Sequence, residues 1–228
     1  MTPQAQQVFD ADLNLQAGLS AAVPESWNEN GPVIDETQTY RAGAYRLLAA
    51  LLRSSPDRAL LDHVAGLSDV DAQTGELVVA MSMLGLAARR CDEVTIDDEY
   101  HALFIGLGRG ELVPYGSWYM TGFLMEKPLG ELRDDLSEMG FERSADVCEP
   151  EDHISALCEV MSMLIEDDQS GEGLSPQQSL LFERHIAPWA DRFFHDLSES
   201  EAAVFYRSVG RLGTAFMEFE RRYLSMEV

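Results

Sequence analysis

The stretch EPEDHISALCEVMSMLIEDD, residues 149–168, decides the fold class. Ile154, Leu157, Cys158, Met161, Leu164 and Ile165 recur at steps of three and four, which lines one face of an α-helix with apolar side chains. Pro150 suits a first helical turn, and Glu151 and Asp152 are favoured there by the helix dipole. The spacing predicts a helix that opens at Pro150 and ends near the acids Glu166–Asp168. The Gly- and Ser-bearing residues that follow read as a linker near 166–175, where the chain could be subdivided.

The same period continues outward. Towards the C-terminus, Phe182, His185, Ile186, Trp189 and Phe193 keep helical spacing, with Pro188 predicted to break the helix. Phe205, Val209, Leu212, Phe216, Phe219 and Tyr223 predict a long core helix. Towards the N-terminus, Pro128 suits the start of a helix that Gly140 would cap. Further helices are expected over 97–105, 77–88 and 57–65, and from Thr39 through the stripe Tyr40, Ala44, Leu47, Leu48 and Leu51 to the stop at Ser54-Ser55-Pro56. Residues 1–37 lack this period and read as a loose extension, with one short helix around Gln6–Ala17; residues 38–228 read as one domain. Alternation of the strand kind is absent apart from a doubtful run at Leu112–Pro114. The expectation is all-α, a helical bundle of roughly eight to ten helices with short connections.

One segment departs from the pattern. GLGRGELVPYGSWY, residues 106–119, holds four glycines and a proline in fourteen residues, and predicts a loop with special backbone angles between helices.

Charge narrows the function classes. Forty acids against sixteen bases give a net charge of −24, and Lys127 is the only lysine. Such a surface repels nucleic-acid phosphate and anionic lipid and attracts a basic peptide, although solubility alone also explains it. No run is long and apolar enough for a spanning helix, and the start has no secretory pattern, so neither membrane insertion nor secretion is expected. Three unclustered cysteines, Cys91, Cys148 and Cys158, argue against a disulfide framework and for a reducing cytoplasm.

Enzyme signatures are sparse. No phosphate loop, HExxH or GxSxG motif occurs, and the glycines at 106, 108 and 110 follow no strand. Cys148, His153 and Cys158 match no usual zinc spacing, and no metal is expected. Asp152 and His153 are chain neighbours about 100° apart on a helix, which is poor dyad geometry. The plain reading gives Asp152 to a helix start and His153 to a structural hydrogen bond.

Four segments taken in order, EYHALFIGLG (99–108), VPYGSWY (113–119), EPEDHISAL (149–157) and FERHIAPWADRF (182–193), resemble the TorD/DmsD family of molybdoenzyme maturation chaperones. The resemblance spans about residues 40–225. It implies an all-helical, TorD-like, cytoplasmic chaperone, not an enzyme and without a cofactor. Such a chaperone binds the twin-arginine leader or the apo-form of a molybdoenzyme, assists cofactor insertion and delays export. It also implies weak guanine-nucleotide binding in some members, and a monomer or a domain-swapped dimer. The S- and N-oxide reductase type of client is favoured, because members that serve nitrate reductase diverge more in these segments.

By motif, Glu149, Asp152 and His153 would form the leader-recognition element, with Glu151 beside them. Tyr100, Phe104, Pro114, Tyr115, Gly116, Ser117 and Tyr119 would join them from the glycine-rich side. Trp118 replaces a usually smaller residue. His185, Pro188 and Trp189 are expected to pack and to break a helix. Physically, carboxylates would take the leader's guanidinium groups and the aromatics its apolar stretch. Two alternatives stand beside this reading: a helical adaptor without leader binding, and a weak nucleotide-binding protein or hydrolase using His153 with Asp152, Glu151 or Ser117.

Overall fold

A computed structural model describes residues 34–67, 75–106, 110–143, 149–167 and 175–226. The suggested helix around Gln6–Ala17, most of the 166–175 linker, Cys148 and Gly108 lie outside them.

Ten α-helices appear among the described residues: α1 (Ile34–Arg53), α2 (Arg58–Gly66), α3 (Glu76–Ala88), α4 (Glu93–Tyr100), α5 (Gly116–Thr121), α6 (Lys127–Glu138), α7 (Ile154–Asp167), α8 (Pro176–Leu181), α9 (Ala190–Glu199) and α10 (Tyr206–Met226). Helices α4 and α8 each continue into one π-helical turn, His101–Ile105 and Phe182–Ile186. Among the described residues the only strand-like pairing is a single antiparallel bridge, Tyr115 to His153. The all-helical expectation therefore holds.

Helix α1 packs along α7, and α10 lies against α9 and α3. The predicted stripes form the core: Leu47, Leu48 and Leu51 from α1 meet Leu157, Cys158 and Met161 from α7 in one buried cluster with Phe216 of α10. At the heart of this packing, the buried Arg41 donates to both oxygens of buried Glu220, at 2.7 and 2.9 Å, and to Gln178 at 2.9 Å. Tyr45 donates to Glu220 at 3.1 Å. Two fully buried charges are tolerated because each finds its partner and most of its hydrogen bonds inside the protein.

Boundaries differ from the sequence expectation at three places. Helix α1 begins at Ile34, before Thr39. Helix α4 begins at Glu93, because the Asp92 carboxylate accepts from Thr95 N–H at 3.0 Å and caps it there, not at Asp97. Helix α7 begins only at Ile154, so Pro150, Glu151 and Asp152 form a turn ahead of the helix instead of its first turn. That turn closes through His153 N–H to Pro150 O at 3.2 Å. The expected features at Pro128, Gly140 and Pro188 hold: Pro128 opens α6, Gly140 follows its end at φ 89°, and Pro188 lies in the break before α9.

Candidate functional site

The segment 106–119 is not a plain loop, since it contains α5. Six residues that open on a glycine do not hold a helix alone, and the support comes from elsewhere in the chain. Asp152 Oδ2 accepts from Ser117 N–H at 2.7 Å, and Asp152 O accepts from Gly116 N–H at 2.9 Å. Ile154 N–H returns a bond to Pro114 O at 2.9 Å. The carboxylate thus caps a helix 35 residues away. Gly116 is required for the fit: a Cβ there would sit 2.9 Å from Trp189 Nε1. Gly110 is required likewise, because a Cβ would meet Leu103 O at 2.4 Å.

His153 lies beside this seam. Its Nδ1 accepts from Ser155 N–H at 3.2 Å and is 2.6 Å from Ser155 Oγ, and its ring meets Tyr115 edge-on at 5.0 Å. Its carbonyl accepts from Leu157 N–H at 3.1 Å, so His153 serves as the start of α7. Burial pushes its pKa down to about 4, against the opposite pull of Glu149 and Asp152. Near neutrality the imidazole is uncharged.

The acids of the motif differ in their surroundings. Glu149 is exposed and accepts from the Tyr115 hydroxyl at 2.5 Å. Burial raises the Tyr115 phenol well above its usual range, with the Glu149 hydrogen bond adding to it. Burial acts to raise the Glu151 carboxyl, but the hydrogen bond and charge of Arg133, with Arg143 nearby, outweigh it and hold the group below its usual range. Arg133 Nε lies 2.9 Å and Arg143 Nε 3.6 Å from Glu151. Asp152 is only 3% exposed, and its Oδ1 has no hydrogen-bond partner among the described residues. A cavity of about 150 Å³ opens beside the motif, walled by Arg53, Glu149, Glu151, His153, Ser155 and Glu159.

The aromatic residues divide. Tyr100 joins the seam: burial, with the nearby Glu149 charge, pushes its phenol up to about 12, and its hydroxyl donates to Arg53 O at 3.1 Å. Phe104 packs instead against Tyr100 and Tyr206, with centroids 5.0 and 5.4 Å away. Tyr119 stacks on Trp189 at 5.5 Å and donates to Asp196 at 3.2 Å. With Trp118 it walls a second cleft on the other side of Ser117 in the chain. The structure therefore brings Glu149, Glu151, Asp152, His153, Tyr100, Pro114, Tyr115, Gly116 and Ser117 together, and turns Trp118 and Tyr119 to the second cleft.

Sequence reasoning missed three supporting acids. Glu99, at the head of the first motif, accepts from Val204, Tyr206 and Phe205 N–H at 2.7, 2.7 and 3.0 Å and caps α10. Asp135 of α6 lies 2.6 Å from His185 Nε2 and accepts from Arg184 at 2.7 Å. Glu111 accepts from Glu201 and Ala202 N–H at 2.9 and 3.2 Å. Only Glu99 lies in one of the four motif segments, and nothing local to Glu99, Glu111 or Asp135 indicates a partner 49 to 107 residues away.

The profile of the family described as nitrate reductase delta subunit matches residues 68–195. The chain belongs to that family. The TorD-type resemblance carried by the four segments also holds. The chaperone protein TorD of Vibrio atlanticus is 24% identical over 207 residues, covering 82% of this chain and 95% of its own. The TorD of Aliivibrio salmonicida is 24% identical over 68% of this chain and 79% of its own. The chaperone protein YcdY of Escherichia coli is 32% identical over 54% of this chain and 62% of its own. A crystal structure described as that of a redox enzyme maturation protein from Archaeoglobus fulgidus superposes with a TM-score of 0.53 at 20% identity, covering 87% of this chain and 99% of that one. At that identity it shows the fold. The family match holds α5 and the 149–153 turn and excludes α1 and α10. Among the described residues no helix is long and apolar enough to cross a membrane.

Proposed function

We propose that this member of the family is a cytoplasmic maturation chaperone without catalytic activity of its own. It binds the twin-arginine leader of an apo-molybdoenzyme of the S- or N-oxide reductase type, assists cofactor insertion and delays export. Relatives named as chaperones support the general role. The observation that carries the leader-binding reading is the seam itself, in which Asp152 holds both Gly116 and Ser117 while Glu149 faces solvent beside Tyr115.

Glu149 and Glu151 would receive guanidinium groups at the mouth of the cavity. Glu149 is accessible at once, whereas Glu151 is already neutralised, so a leader arginine must displace Arg133 or Arg143. Asp152 acts behind them, fixing the height of α5. The net charge of −24 speeds encounter with a basic segment, and salt weakens it. The neutral His153 adds no charge that would oppose the leader's arginines.

Calorimetric titration of a leader peptide tests this with Glu149→Gln and Asp152→Asn. Glu149→Gln removes an exposed charge and is expected to weaken binding by about tenfold at low salt, with the difference shrinking as salt rises. Asp152→Asn keeps a carbonyl oxygen for the Ser117 cap. Unchanged affinity in both folded variants removes this seam from the proposal.

A further inference from the structure

We infer that the turn 120–125 is a second contact surface for the client, a seat for an apolar helical turn with a basic residue beside it. The inference rests on the leader-binding reading above and names where the leader's apolar stretch goes. Ten large apolar side chains are exposed among the described residues, and four of them fall at the last turn of α5 and the bend after it: Met120 (45% exposed), Phe123 (67%), Leu124 (48%) and Met125 (72%). The other six, Val79, Leu86, Val94, Ile105, Leu180 and Val204, stand at least seven residues apart along the chain, whereas a contiguous exposed apolar group marks a contact site.

The turn is held, not slack. Thr121 Oγ1 donates to Ser117 O at 2.7 Å, and Met125 N–H donates to Ser117 Oγ at 3.2 Å. Gly122 closes α5 at φ 84° with its N–H on Trp118 O at 2.8 Å. Met125 sits at φ 59°, a region that side chains rarely adopt, and there it is the most exposed of the four. Residues held in such sparsely populated backbone regions cluster at active sites and ligand clamps.

The turn is continuous with the second cleft, of about 340 Å³, where Met120 joins Trp118, Tyr119, Glu111, Asp196 and Arg192. Two carboxylates and one guanidinium line it; Arg192 lies 3.9 Å from Asp196 and over the Tyr119 ring at 5.7 Å. An acid excess over an aromatic floor takes a cation and disfavours a phosphate. The occupant is therefore apolar with a basic residue adjoining it, as in a leader whose arginines precede its apolar stretch. Helix α5, with six residues, spans about 9 Å at about 1.5 Å per residue, so one leader reaches both the seam at Gly116–Ser117 and the turn that follows Thr121.

The test uses the full chain, a complete leader peptide, and the same leader with its apolar stretch replaced by Gly-Ser repeats. The double variant Phe123→Ser/Leu124→Ser is expected to bind the complete leader about tenfold more weakly, and the Gly-Ser peptide as the wild type does. Met125→Ser, tested separately, is expected to weaken the complete leader by a smaller factor and serves if the double variant loses its helical circular dichroism. Equal affinity of the folded variants for the complete leader overturns the inference and leaves the seam reading intact. A wild type that binds neither peptide removes both readings. A wild-type dimer that the double variant converts to monomer in sedimentation assigns the turn to a second copy of the chain, which also overturns the inference.

Discussion

The pair Arg41–Glu220 and the turn Glu149–His153 are both built from charged groups close to tyrosines, yet they differ in completeness. In the first, the guanidinium and both carboxylate oxygens are fully buried and mutually bonded, with Gln178 and Tyr45 closing the network. In the second, Glu149 is exposed, Glu151 is shared between two arginines, and Asp152 keeps one oxygen without a partner among the described residues. A sealed network can only hold the fold together, whereas an incomplete one beside a cavity can also receive a charge from outside. The same residue types thus serve stability in α1 and α10 and recognition at the α5 seam.

The contrast is broken most severely by Arg41→Met. Glu220 would remain buried without its cation, and loss of one partner of a buried pair costs about 3–5 kcal/mol. Urea denaturation is expected to show that loss, while leader affinity of the still-folded protein stays at the wild-type value. A loss below about 1 kcal/mol would mean that Glu220 is not held as tightly as its geometry implies.

The second largest effect is on pH dependence. His153 has a folded pKa of about 4, below its usual 6.5, because burial disfavours the imidazolium. The unfolded chain therefore binds the proton more readily. Stability from this group is fully present above about pH 6.5 and is lost as pH falls towards 4, to a limit of about 3 kcal/mol. Unfolding measured at about pH 7.5 and about pH 4.5 is expected to show a smaller drop in His153→Gln than in wild type. Equal drops would place the acid sensitivity elsewhere.

Much of this was legible beforehand. The stripe Ile154–Ile165 gave α7, and Phe205–Tyr223 gave the long last helix, because apolar spacing is a local signal. Pro128, Gly140 and Pro188 acted as their backbone restrictions require. What stayed hidden was long-range. Helix α5 inside a glycine-rich segment depends on Asp152, and the cap of α10 on Glu99, across 35 and about 106 residues. Those same bonds explain why acids stand in the motifs. The site was legible as a set of residues, while its division into an acidic seam and a separate Trp118–Tyr119 cleft depended on how the chain folds back. The exposed 120–125 turn carried no sequence signal, because a short run of Met, Phe and Leu has no period that separates a surface group from core.

A smaller effect sharpens the role of Asp152. Asp152→Ala leaves the Ser117 N–H without its cap, which costs about 1–2 kcal/mol, whereas Asp152→Asn retains an acceptor and is expected to cost less. Thermal unfolding of the two variants separates the cap from the charge. Equal destabilisation would show that the charge, not the hydrogen bond, holds α5.

The smallest stability effect has the most to say about recognition. Arg133 and Glu151 form a half-exposed pair, so Arg133→Ala is expected to change stability by no more than about 1 kcal/mol. Its consequence for binding runs the other way. If an incoming arginine competes with Arg133 for Glu151, removing the competitor strengthens leader binding, by about threefold to tenfold at low salt, and the gain fades as salt screens both charges. In the sealed network of α1 and α10 no such gain is available, since removal of a cation there only exposes an unmet charge to a dry interior. A folded Arg133→Ala protein with unchanged leader affinity at all salt concentrations would restrict Glu151 to the fold and leave Glu149 as the accessible acid of the seam.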